Sequence, residues 1–175
     1  MFNDKYRLTQ AVLEGRKTQT RRILLPHTVR ELRNGNDYQG VIRLYSKYKV
    51  GEVVAVAQRY KDIALDVPVE LAAELIKQPW WTNKMFTKAD ILTHHIRITK
   101  IRIERLQDIS EEDCLAEGIV DFESRINKAH FYSITDESAT YGTAKKPYSL
   151  LIDKIAGKGT WASNPYVFVY EFELI

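Results

Sequence analysis

Apolar positions along the chain change period several times, and each change predicts a new element. Leu8, Ala11 and Val12 fall on one side of a helix predicted from about Asp4 to Glu14. Asn3 or Asp4 can cap its start, and Gly15 stands where a left-handed C-terminal cap belongs. Lys17 to Leu24 reads as a strand, or as a turn leading into one. Pro26 to Gly40 is polar and ends in the turn signal Asn34-Gly35-Asn36, which predicts a loop with one helical turn near Val29 to Leu32. Val41 to Tyr45 reads as a short strand. Val50-Gly51-Glu52 is a turn, and the continuous β-branched run Val53-Val54-Ala55-Val56-Ala57 predicts a buried strand. Helical spacing returns at Val67, Leu71, Leu75 and Ile76 and stops at Pro79-Trp80-Trp81.

The second half opens on the longest predicted strand, about His94 to Leu106. Ile96 and Ile98 share one face. Ile101 and Ile103 also share a face, out of phase with the first pair, so a β-bulge near Thr99-Lys100 is predicted. Ser110-Glu111-Glu112-Asp113 reads as a capping box opening a short helix that Gly118 closes. Residues 121–145 are polar and weakly patterned and read as a long mobile insertion. Pro147 to Ala156 predicts a helix with proline in its first turn and Gly157 at its end. Tyr166 to Leu174 alternates Tyr166, Phe168, Tyr170, Phe172 and Leu174 against Val167, Val169, Glu171 and Glu173, a strand with two distinct faces. No repeat or linker interrupts residues 1–175, so one domain is expected. Short strands with interleaved, non-repeating helices predict an α+β fold or a small β-barrel with helices packed on it.

Composition adds boundaries. No apolar run approaches the roughly 20 residues of a membrane span, and Met1-Phe2-Asn3-Asp4-Lys5 lacks the form of a signal peptide. Cys114 is the only cysteine, which excludes an internal disulfide and predicts a reducing, cytoplasmic setting. The net charge of +3 conceals polarity along the chain. Residues 1–50 hold 11 Lys and Arg against 4 Asp and Glu, whereas residues 101–175 hold 8 against 13. Such asymmetry points toward a nucleic-acid partner.

The basic end carries Gly15-Arg16-Lys17-Thr18-Gln19-Thr20-Arg21-Arg22, with four cations, two threonine hydroxyls and no acid. Such a cluster is either a solvated surface or a site for an anion such as phosphate. Arg16, Arg21 and Arg22 are the candidate phosphate contacts. Tyr60, Trp80 and Trp81 are candidates for stacking a base, or for core and lid packing. His27, His94, His95 and His130 show no metal-ligand spacing, so neither a metal nor a cofactor is expected. Cys114 reads as a buried structural thiol.

The order of motifs resembles the ASCH domain, a relative of the PUA domain. Gly15-x-Lys17-x-x-Thr20-x-Arg22 after a helix resembles its signature Gly-x-Lys-x-x-(usually Glu)-x-Arg. Val50 to Val56 resembles the family's Gly-Asp/Glu strand, and Ile103 to Ile119 and Trp161 to Val169 resemble segments shared by ASCH-domain proteins of phage and prophage type. The resemblance implies a PUA-like β-barrel flanked by helices, with a cleft at the Gly-x-Lys motif that binds RNA or a modified nucleoside. One branch consists of amidohydrolases that remove the acetyl group from acetylcytidine, and like this chain they carry Thr where the family usually has Glu. Their trio, carried over by position, is Lys17, Thr20 and Glu117. Thr20 would supply a hydroxyl. Either Lys17 acts as base with a lowered pKa, or Glu117 is the base and Lys17 holds the oxyanion. The partner expected from these readings is RNA or a modified nucleoside, bound by a monomer.

Overall fold

A computed structural model of the chain describes residues 2–136 and 139–175. The strands are β1 (Gln19–Ile23), β2 (Val53–Ala55), β3 (His95–Arg105), β4 (Val120–Glu123), β5 (His130–Ser133) and β6 (Tyr166–Leu174). Four of them form an antiparallel sheet in the order β1-β6-β3-β2, curled into a half-barrel, and β4 pairs with β5 apart from it. The helices are α1 (Leu8–Leu13), α2 (Pro26–Arg33), α3 (Tyr38–Tyr45), α4 (Tyr60–Ile63), α5 (Val69–Ile76), α6 (Glu111–Ala116), α7 (Lys145–Ala156) and α8 (Thr160–Ser163). The architecture is mixed α+β, as the patterning predicts.

The alternation along β6 divides the protein into two cores. Val167 and Val169 pack with Leu106, Ile109, Cys114, Tyr148 and Leu151, the cluster to which α6 and α7 contribute. Phe168, Tyr170 and Phe172 point the other way, onto Val12, Leu24, Val41 and the isoleucines of β3. The predicted bulge is present. The pairing of β3 with β6 shifts between Ile98 and Lys100, so Ile98 meets Phe172 while Ile101 meets Tyr170. That extra residue lets Ile96, Ile98, Ile101 and Ile103 all reach one core despite their phase change. A third cluster gathers Tyr60, Ile63, Leu75 and Leu92.

Several elements differ from expectation. Residues 38–45 form α3 rather than a strand. Tyr38, Val41, Ile42 and Tyr45 have i, i+3, i+4, i+7 spacing, and the Asp37 carboxylate caps the helix at the Gly40 N–H. Residues 26–33 are a full helix with Pro26 in its first turn, where the missing N–H costs nothing. The opening helix is divided at Arg7, whose φ is 53°, into a 3-10 turn and α1. The strand predicted at Val53 to Ala57 is an edge strand of three residues, and Val53 is half exposed. Residues 121–145, expected as an unstructured insertion, contain most of the β4–β5 hairpin, and Tyr132 bridges Tyr141 beyond it. The part of that expectation that falls on Glu137 and Ser138 lies outside the described residues.

Candidate ligand-binding site

The Gly-x-Lys segment is stitched to the end of α6 before β1 begins. Gly15, at φ +71°, ends the helical turn after α1. The Lys17 N–H donates to Ala11 O at 2.9 Å, and the Thr18 N–H donates to Ala116 O at 2.8 Å. Gly118 follows Glu117 at φ +103° and lies against α1, where an added Cβ would sit 3.3 Å from Leu8 Cδ2 and 3.6 Å from Lys17 Cβ. This close approach brings Glu117 under Lys17. Lys17 Nζ donates to Glu117 Oε2 at 2.6 Å, to Glu117 O at 2.7 Å and to Gln19 O at 2.7 Å. All three ammonium protons are therefore committed. Burial drives the Lys17 pKa below the ordinary lysine value, against the opposing pull of Glu117.

Arg21, expected as a phosphate contact, faces the side of the sheet covered by α6 and α7. Its side chain is 0% exposed. Nη2 lies 2.8 Å from Glu104 Oε1 and 2.7 Å from Asp113 Oδ2, and Nη1 lies 3.2 Å from Glu117 Oε1. Burial works against the Arg21 charge, but Glu117 and Glu104 more than offset it and its pKa is raised. Arg102, aligned with Arg21 across Val169, binds the same Asp113 Oδ2 at 2.6 Å and also pairs with Glu104 and Glu171. Arg21 is thus a structural cation, not an open anion site. The Ser110 hydroxyl caps α6 at the Asp113 N–H as expected. The Asp113 carboxylate does not complete a capping box, because Gln19, Arg21 and Arg102 hold it.

Thr20 and Arg22 alternate onto the opposite face, in register with Tyr170 and Phe168. Two adjoining cavities meet there. One of about 60 Å³ is lined by Lys17, Thr20, Arg22, Glu117 and Tyr148 among others. It has room for a few waters or a small substituent but not for a nucleobase. A larger one of about 260 Å³ shares Phe2, Thr20 and Arg22 with it and continues to Lys47, Tyr48 and Tyr170. The trio Lys17, Thr20 and Glu117 is therefore brought to one small cavity at the foot of a wider cleft. Tyr148 contributes a buried hydroxyl that has no hydrogen-bond partner among the described residues. Burial, with Glu117 nearby, raises its pKa well above the ordinary phenol value.

Comparison of the chain with protein-family models, with curated proteins and with solved structures gives no match in any of the three. The site is read from its own geometry. Arg16 is exposed and ion-paired to Glu14 at 2.6 Å, and does not line either cavity. Tyr60 is 4% exposed inside the third core cluster, so it packs rather than stacks a ligand. Trp80 is half exposed and lies on Phe86, ring centroids 4.5 Å apart. The Cys114 thiol is buried and its pKa is pushed up to about 12, chiefly by burial, which makes it inert. Among the described residues no cluster of His, Cys, Asp or Glu is placed to hold a metal, and no helix is long and apolar enough to cross a membrane.

Sequence reasoning missed Lys47, Tyr48 and Tyr148 around the cavities, and Arg102, Glu104 and Asp113 around Arg21. Arg102 and Glu104 carried a signal, since they alternate with the buried Ile101 and Ile103 and so share the opposite face. Tyr148 carried one too, three residues before the buried Leu151 on a helix. Nothing local ties Lys47 or Tyr48 to Thr20.

Proposed function

We propose that this chain is a PUA-like domain of ASCH type that binds RNA, or a modified nucleoside within it, in the cleft above Thr20. The observation that supports this most is the chemistry of the 260 Å³ cavity: aromatic walls from Tyr48, Tyr170 and Phe172, with the exposed cations Arg22 and Lys47 at its edge. Flat apolar walls suit a base, and the cations suit its phosphate. The polarity of the sequence is consistent with this, although two of the four cations between Gly15 and Arg22, Lys17 and Arg21, are internal. Lys17 and Arg21 serve as scaffold, and Arg22 with Lys47 forms the contact.

Fluorescence anisotropy with short single-stranded RNA tests the reading. Binding is expected to weaken with salt, and Arg22→Ala with Lys47→Ala should reduce the slope of log Kobs against log [salt] by about 1.4. Absence of binding, or a slope unchanged by the double variant, would remove the proposal.

A second reading, hydrolysis of an acylated cytidine, draws support from one observation: Lys17, Thr20 and Glu117 line one cavity. Against it, Lys17 has no uncommitted proton, and the two Glu117 carboxylate oxygens already face Lys17 and Arg21. Release of acetate from acetylcytidine, lost in Thr20→Val, would favour the enzyme over the binder.

A further inference from the structure

A second large cavity borders this cleft on the side of α2 and α3. It holds about 470 Å³, within the roughly 300–1,000 Å³ of small-molecule sites. Arg22, Lys47, Tyr48 and Tyr170 line both it and the 260 Å³ cavity, so the two lie on either side of one shared wall. Its far side is formed by His27, from the first turn of α2, and Tyr45, from the last turn of α3. Their rings lie 5.6 Å apart at 57°, and Tyr45 is 37% exposed.

The shared wall is held in place. The Lys47 N–H donates to the Tyr170 hydroxyl at 3.1 Å, the Ser46 hydroxyl lies 3.1 Å from the same oxygen, and Tyr48 stands edge-on to Tyr170 with centroids 5.4 Å apart. Tyr170 sits on the central β6, so the segment carrying Lys47 and Tyr48 is fixed to the sheet. Two aromatic cavities flank this wall, and its exposed charged groups are both cations. That sequence of chemistry, ring site then cation then ring site, matches base, phosphate, base.

We infer that the 470 Å³ cavity is a second base subsite, and that the ligand class is an oligonucleotide of at least two residues whose linking phosphate meets Arg22 and Lys47. The inference rests on the nucleotide-binding reading of the Thr20 cleft and deepens it, because a free nucleoside fills only one cavity. Stacking on Tyr45 and His27 supplies the additional affinity.

Calorimetry on the intact chain tests this with the four nucleoside 5′-monophosphates and the four dinucleotides ApA, CpC, GpG and UpU. For the preferred base, the dinucleotide should bind about 10-fold more tightly than the monophosphate. A His27→Ala/Tyr45→Ala variant, confirmed folded by circular dichroism, should lose that advantage while its monophosphate affinity stays within about 2-fold of the parent. Both side chains are exposed, so the variant retains its core. A dinucleotide no tighter than its monophosphate, or an advantage untouched by the variant, overturns the second subsite and leaves the Thr20 cleft standing. Failure of every monophosphate and every dinucleotide to bind removes the cleft reading and this inference together.

Discussion

Lys17 and Glu117 form a buried ion pair, with side chains 2% and 7% exposed. Taking either charge out of water costs several kcal/mol, offset at Lys17 by Glu117 and the two carbonyls on Nζ, and at Glu117 by Lys17 and Arg21. Lys17→Met therefore leaves Oε2 of the buried Glu117 carboxylate without its cation, with Arg21 at Oε1 as the remaining ionic partner. It should lower the unfolding free energy by about 3–5 kcal/mol in a urea titration. Tyr148→Phe makes the opposite case on the same cavity. No hydrogen bond to a described residue is lost with its hydroxyl. Stability should stay level or rise by up to about 1 kcal/mol in the same titration. A drop of the size expected for Lys17 would mean that the phenol is bonded after all. At this scale the sequence showed which residue types gather at the motif. It did not show that Lys17 and Arg21 face inward, because a basic run looks the same whether water or carboxylates surround it.

Turns decide how the elements carry those residues. Gly118 and Gly15 both have positive φ, but their surroundings differ. A Cβ at Gly118 would press on Leu8 at 3.3 Å, whereas nothing lies within 4 Å at Gly15. Gly118→Ala should cost about 1–3 kcal/mol, and Gly15→Ala should cost less, about 1 kcal/mol, as read from paired thermal melts. Equal losses would show that backbone strain alone matters at Gly118. Elements with strong periodicity were legible: β6 matches its expected limits, and the bulge in β3 falls where the isoleucine phase changes. Residues 38–45 were misread because four apolar residues in a short window fit either period, and the helical reading needs Tyr38 and the Asp37 cap. The β4–β5 hairpin was missed because each strand is only four residues long: β4 alternates Val120 and Phe122 against Asp121 and Glu123, but His130–Ser133 buries only its last residue and shows no matching alternation.

On the scale of the whole molecule, long-range contacts tie the ends of the chain to its middle. Lys84 Nζ reaches back to Asp4 Oδ1 at 2.7 Å, and the Thr9 hydroxyl donates to the same carboxylate oxygen at 2.6 Å. Burial alone would raise the Asp4 pKa, but these hydrogen bonds outweigh it and hold the group below its ordinary 3.8. The folded state thus binds the proton less readily than the unfolded chain does. This contribution is present above pH 3.8 and is lost as pH falls below it. Asp4→Asn should lower the melting temperature at pH 7, and the gap from the parent should close as pH is taken down toward 2. A gap independent of pH would show that the contact contributes through packing instead. By itself, the sequence determined which positions face a core, where strands bend, where helices are capped and where cationic residues cluster. These follow from periods and turn chemistry that operate over a few residues. Tertiary structure alone decided that Lys17 and Arg21, two of the four cations between Gly15 and Arg22, are neutralised. The acids that hold Lys17 and Arg21 lie 83 to 100 positions further along the chain. They arrive only through the β1–β6–β3 register and the docking of α6. Ionic pairing depends on distance through space, and no local pattern encodes that distance.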